Sequence, residues 1–83
     1  MYRIIISTRA SKELRNLPAD MRRKIDRAID ILRENPFMGK KLHADFEGMR
    51  SLRVWPYRIV YVIARHIVTV TVLRVGHRQG VYC

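Results

Sequence analysis

From Arg50 to Val75 the chain alternates β-branched, aromatic and polar residues with two short breaks, Trp55-Pro56 and Arg65-His66. The pattern predicts three consecutive strands, roughly Arg50 to Val54, Tyr57 to Ala64 and Ile67 to Val75. Successive side chains on a strand point to opposite faces. Tyr57, Ile59, Tyr61 and Ile63 therefore share one face with Val68, Val70 and Val72 of the next strand, and Arg58, Val60, Val62 and Ala64 share the other with Thr69, Thr71 and Leu73. The first face is the better core. It needs a cover, which the residues before Arg50 must supply.

They read as a strand and two helices. YRIIIS, ending at Ser7, is a short β-branched run, and Ser7 or Thr8 can cap the helix that follows. In TRASKELRNL, Ala10, Leu14 and Leu17 fall on one narrow stripe, and Pro18 is expected as the first residue of the next helix. PADMRRKIDRAIDILRENP places Met21, Ile25, Ala28, Ile29 and Leu32 on one face. Asp26 and Asp30 stand at helical spacing from Arg22, Arg23, Arg27 and Arg33, which predicts a salt-bridged solvent face worth a few tenths of a kcal/mol per pair. Asn35-Pro36 stops the helix, and FMGKKLHADFEG follows as a loop with Gly39 and Gly48 as pivots. The order β-α-α-β-β-β predicts one α+β domain over residues 1–83, two N-terminal helices packed on a four-stranded, mostly antiparallel sheet.

Charge narrows the partner. A formal net charge of +10 on 83 residues favours a polyanion: RNA, DNA, an anionic membrane or an acidic protein segment. All seven acidic residues precede Gly48, whereas the segment from Met49 onward is purely cationic. No apolar run approaches the ~20 residues of a membrane span, and MYRIIIS does not read as a signal peptide, so a cytoplasmic protein is expected. Cys83, the single cysteine, excludes an internal disulfide and a cysteine-based metal site. His43, His66 and His77 lack metal-ligand spacing, and neither a metal nor an organic cofactor is expected.

Within the cationic segment, Arg53 and Arg58 stand at mirrored positions about Trp55-Pro56. If that dipeptide is a hairpin bend, the two arginines face each other, and like charges directly opposite on a sheet destabilise it. Something other than folding is then expected to keep them there. Arginines clamp a phosphodiester bidentately and stabilise charge developing at phosphorus. RNA makes such a site sufficient, because its 2′-OH is an internal nucleophile already beside the phosphorus it attacks. In RVGHRQGVY, Gly76 is expected to end the strand and let His77, Arg78 and Tyr82 return toward the arginine face. Arg78 and Tyr82 are candidates for function. His77 reads first as an ordinary surface histidine and second as a substrate contact. Lys40, Lys41 and His43 make the preceding loop basic and, with Arg50, are candidate substrate-binding residues.

The stretches GMRSLRVWPYRIVYVI and VLRVGHRQGVY, supported by YRIIIS, LRNLP and LRENP, resemble the RelE branch of the RelE/ParE superfamily of type II toxin-antitoxin toxins. The resemblance covers effectively the whole chain. It implies a ribosome-dependent, metal-independent messenger-RNA endoribonuclease, an mRNA interferase that halts translation. It also implies a hetero-oligomer with a cognate antitoxin carrying an acidic or amphipathic segment. Under it, Arg53 resembles the basic residue that orients the 2′-OH, and Arg58 the phosphate-stabilising arginine. Arg78 resembles the arginine near the leaving 5′-oxygen, and Tyr82 the aromatic that stacks on the substrate. Ser51 departs from the pattern, standing where Lys or Arg is common. The alternatives are a ParE-like DNA gyrase inhibitor and a nuclease-inactive module that binds RNA or protein.

Overall fold

The computed structural model describes residues 1–77. Its elements run β1 (Arg3–Ile6), α1 (Thr8–Arg15), α2 (Ala19–Glu34), β2 (Lys40–Lys41), β3 (Met49–Val54), β4 (Tyr57–Ala64) and β5 (Thr69–His77), with short helical turns at Pro36–Met38, Ala44–Phe46 and Arg65–Ile67. The strands form a five-stranded sheet in the order β1-β5-β4-β3-β2.

Two features correct the expected four-stranded, mostly antiparallel sheet. Lys40 and Lys41, read as loop, pair with Ser51 and Arg50 as a two-residue edge strand. The sheet is mixed, because β1 lies parallel to β5, with Ile4 opposite Val70 and Ile6 opposite Val72. The parallel ladder is extended at both ends, by Arg3 N–H to the Val68 carbonyl and Ser7 N–H to the Val72 carbonyl, each 2.9 Å. Parallel neighbours need a long crossover, and here the two helices and β2 to β4 all lie between them.

Ser7 settles the first cap. Its Oγ accepts from Ala10 N–H at 3.1 Å and donates to the Leu73 carbonyl at 3.0 Å, tying the start of α1 to β5. Pro18 is the residue before α2 rather than its first. Ala10 and Leu14 of α1 and Ile25, Ala28, Ile29 and Leu32 of α2 are buried against Ile59, Tyr61, Val70, Val72 and Val75. Each large aliphatic side chain so buried contributes about 1.5–3 kcal/mol. The polar face of α2 is less bridged than expected: among the described residues Asp30 and Arg33, 3.6 Å apart, form its only ion pair.

The β4–β5 register contains a bulge the alternation does not announce. Val60 stands opposite Arg74 but Tyr61 opposite Val72, so Leu73 is the extra residue. One inserted residue flips every later side chain to the other face. Val75 therefore joins Val72 in the core, both at most 1% exposed. The strand also starts and ends later than expected. Val68 is 44% exposed in the left-handed conformation, φ 50°, before β5 begins. Thr69, placed by alternation on the open face, is buried, with Oγ1 donating to the Ile67 carbonyl at 2.9 Å. Gly76 does not end the strand, which continues through His77.

Candidate functional site

The hairpin β3–β4 builds the site. It turns at Trp55-Pro56, a cis peptide, and its register sets Val54 opposite Tyr57, Arg53 opposite Arg58, Leu52 opposite Ile59 and Ser51 opposite Val60. Tyr57 and Ile59 face the helices, so Arg53 and Arg58 share the other, open face. On its far side Arg58 stands opposite Gly76. No carboxylate among the described residues pairs with either arginine.

Other arginines of the cationic segment do find partners. Arg74 donates from Nε and Nη2 to Glu13 Oε2 at 3.1 and 2.9 Å, while Glu13 Oε1 accepts from Val75 N–H at 2.8 Å. Glu13 thus caps the edge of β5 beyond the end of β1 and holds α1 to the sheet. Arg50 lies opposite Tyr61, which puts it on the helix side rather than with Arg53. Its Nη1 donates to the Gly39 and Phe37 carbonyls at 2.8 and 3.3 Å, and its guanidinium lies 5.3 Å from the Phe37 ring centroid. Arg50, a candidate for substrate binding, is engaged in holding the loop before β2.

Tyr61 anchors that loop from beneath. Fully buried, its hydroxyl donates to the Pro36 carbonyl at 2.6 Å and accepts from Gly39 N–H at 3.0 Å. Burial pushes its pKa above 10.0, against smaller opposing effects of the Gly39 N–H and the Arg50 charge. Gly39 is required by this close approach: a Cβ there would lie 2.9 Å from Tyr61 Cε1 and Cζ.

The remaining candidates divide by position. Lys40 lies opposite Ser51 and so shares the arginine face, whereas Lys41 lies opposite Arg50 on the other. His43 is exposed just before the Ala44–Phe46 turn. His77 stays in the ladder opposite Tyr57, the rings 5.9 Å apart and nearly perpendicular, at the same end of the sheet as Arg58. Arg78 and Tyr82 lie outside the described residues. Two features are not legible in the sequence, the burial of Ser51 and the exposure of Trp55. Ser51, beside the arginines, is 4% exposed, and its Oγ has no hydrogen-bond partner among the described residues. Trp55, 58% exposed at the hairpin tip, has the Arg53 guanidinium 6.0 Å from its ring centroid. An indole where a tight turn would accept any small polar residue was the available signal.

A family model described as ParE toxin of type II toxin-antitoxin system, parDE, matches residues 4–82. The chain belongs to the RelE/ParE superfamily of toxins. Among named members, Toxin RelG of Mycobacterium tuberculosis is 32% identical over 83 residues, covering 98% of this chain and 95% of that protein. Toxin RelE of the same organism is 30% identical over 83 residues, covering 98% and 86%. The toxin-antitoxin complex RelBE2 of M. tuberculosis contains a chain that superposes with a TM-score of 0.86 at 33% identity, covering 93% of this chain and 98% of that one. The isolated E. coli RelE toxin superposes with a TM-score of 0.81 at 25% identity, covering 93% and 84%. The RelE/ParE assignment agrees with the fold: two helices on a five-stranded mixed sheet, with Arg53 and Arg58, unpaired by any carboxylate among the described residues, on the face away from the helices. No helix among the described residues is long and apolar enough to cross a membrane.

Proposed function

We propose that this RelE/ParE toxin is a ribosome-dependent, metal-independent messenger-RNA endoribonuclease. The observation that carries the reading is the opposition of Arg53 and Arg58 across β3–β4, with no carboxylate partner among the described residues. Such a pair costs the fold stability and suits a phosphodiester. In this reading Arg53 orients the 2′-OH and Arg58 neutralises the phosphorane. Arg78 acts near the leaving 5′-oxygen, and Tyr82 stacks on the substrate. Lys40, on the same face, with His43 and His77, adds contacts to the flanking phosphates, while Lys41 stands on the other face with Arg50, which supports the loop that carries the lysines. The 2′-oxygen attacks phosphorus as its proton departs, the bond to the 5′-oxygen breaks, and that oxygen takes up a proton. The products are a 2′,3′-cyclic phosphate and a 5′-hydroxyl.

A cognate antitoxin belongs to the same proposal. The +10 charge suits an acidic, amphipathic segment, and the solved relative from M. tuberculosis is itself a toxin-antitoxin complex. The gene beside this one is expected to encode it.

One observation favours a second reading. The matching family model carries the ParE name, and a ParE-like toxin would act on DNA gyrase. Primer extension on translated messages during induction, set beside a gyrase supercoiling assay, separates the two. Cuts inside reading frames with gyrase unaffected support the ribonuclease, and intact messages with inhibited gyrase reverse the assignment.

A further inference from the structure

The hairpin tip carries a large, mostly exposed aromatic side chain directly beside the opposed arginines. Trp55 exposes 58% of its surface, and the exposed aromatic side chains among the described residues are Trp55 and Phe37. Phe37 has a local role at the far end of the sheet. Tyr2 meets its ring edge-on at 6.4 Å, and the guanidinium groups of Arg50 and Arg65 lie 5.3 and 5.9 Å from its centroid. Arg65 follows the last residue of β4, whereas Arg58 is near the first, so Phe37 stands a full strand length from the opposed arginines.

Trp55 stands at the opposed arginines themselves. It joins the strands that carry them, and the Arg53 guanidinium lies 6.0 Å from its ring centroid. That contact puts the indole on the Arg53 side of the hairpin. More than half of this apolar ring is left in water, where a polar turn residue would serve solubility better. Pro56 restricts the backbone beside the ring, so the platform is stiff and little entropy is lost when something stacks on it. An aromatic face beside a cationic phosphate clamp is how proteins hold single-stranded nucleic acid, the base stacking while its phosphate is neutralised.

We propose that Trp55 is a stacking platform for a nucleobase of single-stranded RNA, flanking the phosphate held between Arg53 and Arg58. The inference rests on the RNA reading of the site, and it adds a binding residue at the hairpin tip. Trp55 contacts the substrate but moves no proton, so its contribution is to substrate affinity and to which base is preferred.

Trp55 is the chain's single tryptophan, so its fluorescence reports directly. The full chain is titrated with a short 2′-O-methyl RNA, which cannot be cleaved because its nucleophile is blocked. An abasic oligomer of equal charge and a polyglutamate peptide serve as controls. The RNA quenches the indole saturably, and the controls do not. Labelled RNA binds Trp55→Ala about ten-fold more weakly or worse, while Trp55→Phe retains most of the affinity. The abasic oligomer does not distinguish the variants, and thermal unfolding shows both folded. Equal RNA affinity of wild type and Trp55→Ala overturns the proposal. So does equal quenching by RNA, abasic oligomer and polyglutamate, which would make the tip a docking point for acidic chains. Because the probe is not cut, intact messages in the cleavage assay would remove the ribonuclease reading without altering this result.

Discussion

Replacing Arg58 by Gln should make the folded protein more stable. Arg53 and Arg58 are directly opposed in the β3–β4 register, and like charges so placed cost a few tenths to about 1 kcal/mol. Gln keeps most of the apolar stem and removes the charge. Arg58→Gln should therefore gain a few tenths to about 1 kcal/mol, which for a domain this small raises Tm by roughly 1–8 °C. Arg53→Gln relieves the same repulsion but loses the contact with the Trp55 ring at 6.0 Å, worth about 0.5–1 kcal/mol at an exposed site. It should come out near neutral. The double variant isolates the pair: adding the second Gln should gain less than it does alone, leaving a coupling of a few tenths of a kcal/mol or more that marks repulsion. In about 1 M salt, where the Debye length is ~3 Å, that coupling should shrink toward zero. Denaturant unfolding at low and high salt measures all four proteins. If both single variants lose more than about 1 kcal/mol, with a coupling that marks attraction, the arginines are part of the fold's own support and are not held there for a ligand.

Three further outcomes follow from the loop and turns. Gly39→Ala should cost about 1–3 kcal/mol by overpacking, since its Cβ would lie 2.9 Å from the Tyr61 ring; thermal unfolding measures the loss. Tyr61→Phe should cost about 1–3 kcal/mol by stranding the Pro36 carbonyl and Gly39 N–H. It should also flatten the alkaline limb of stability: the Tyr61 pKa is raised above 10.0 in the fold, so its contribution is whole below pH 10.0 and is lost as pH rises through the folded value. Unfolding of both proteins between pH 8 and 11 checks the sign. Val68→Gly should gain up to about 1 kcal/mol, because Val68 sits at φ 50°, where a β-branched residue is strained; a lower Tm would refute it.

What could be read from the sequence was what side-chain pattern encodes. The Arg53–Arg58 opposition followed from Trp55-Pro56 as a bend, and the core face from Ile59, Tyr61, Val70 and Val72. The apolar stripe of α2 fixed which side of the sheet is covered. What escaped was carried by the backbone. Lys40 and Lys41 join the sheet through ladder hydrogen bonds that two exposed lysines do not advertise. The bulge at Leu73 interrupts no run of apolar residues and contains no glycine, yet it moves Val75 into the core and keeps Gly76 beside Arg58. The parallel pairing of β1 depends on where the chain returns after two helices and three other strands, which local periodicity does not record. Arg50 looked like one more cation of the site until its register placed it with Tyr61. Arg78 and Tyr82, read from the VGHRQGVY ending, lie outside the described residues.

The most direct test is the chemistry of the cut ends. Purified protein is added to ribosomes translating a defined message, and the 3′ ends of the fragments are characterised for wild type and Arg58→Gln. Wild type should leave 2′,3′-cyclic phosphate ends, and the variant should cut at least ~10²-fold more slowly, because the lost interaction strengthens as charge develops at phosphorus. Fragments ending in a 3′-hydroxyl, or an Arg58→Gln protein that cuts as fast as wild type, would contradict this mechanism.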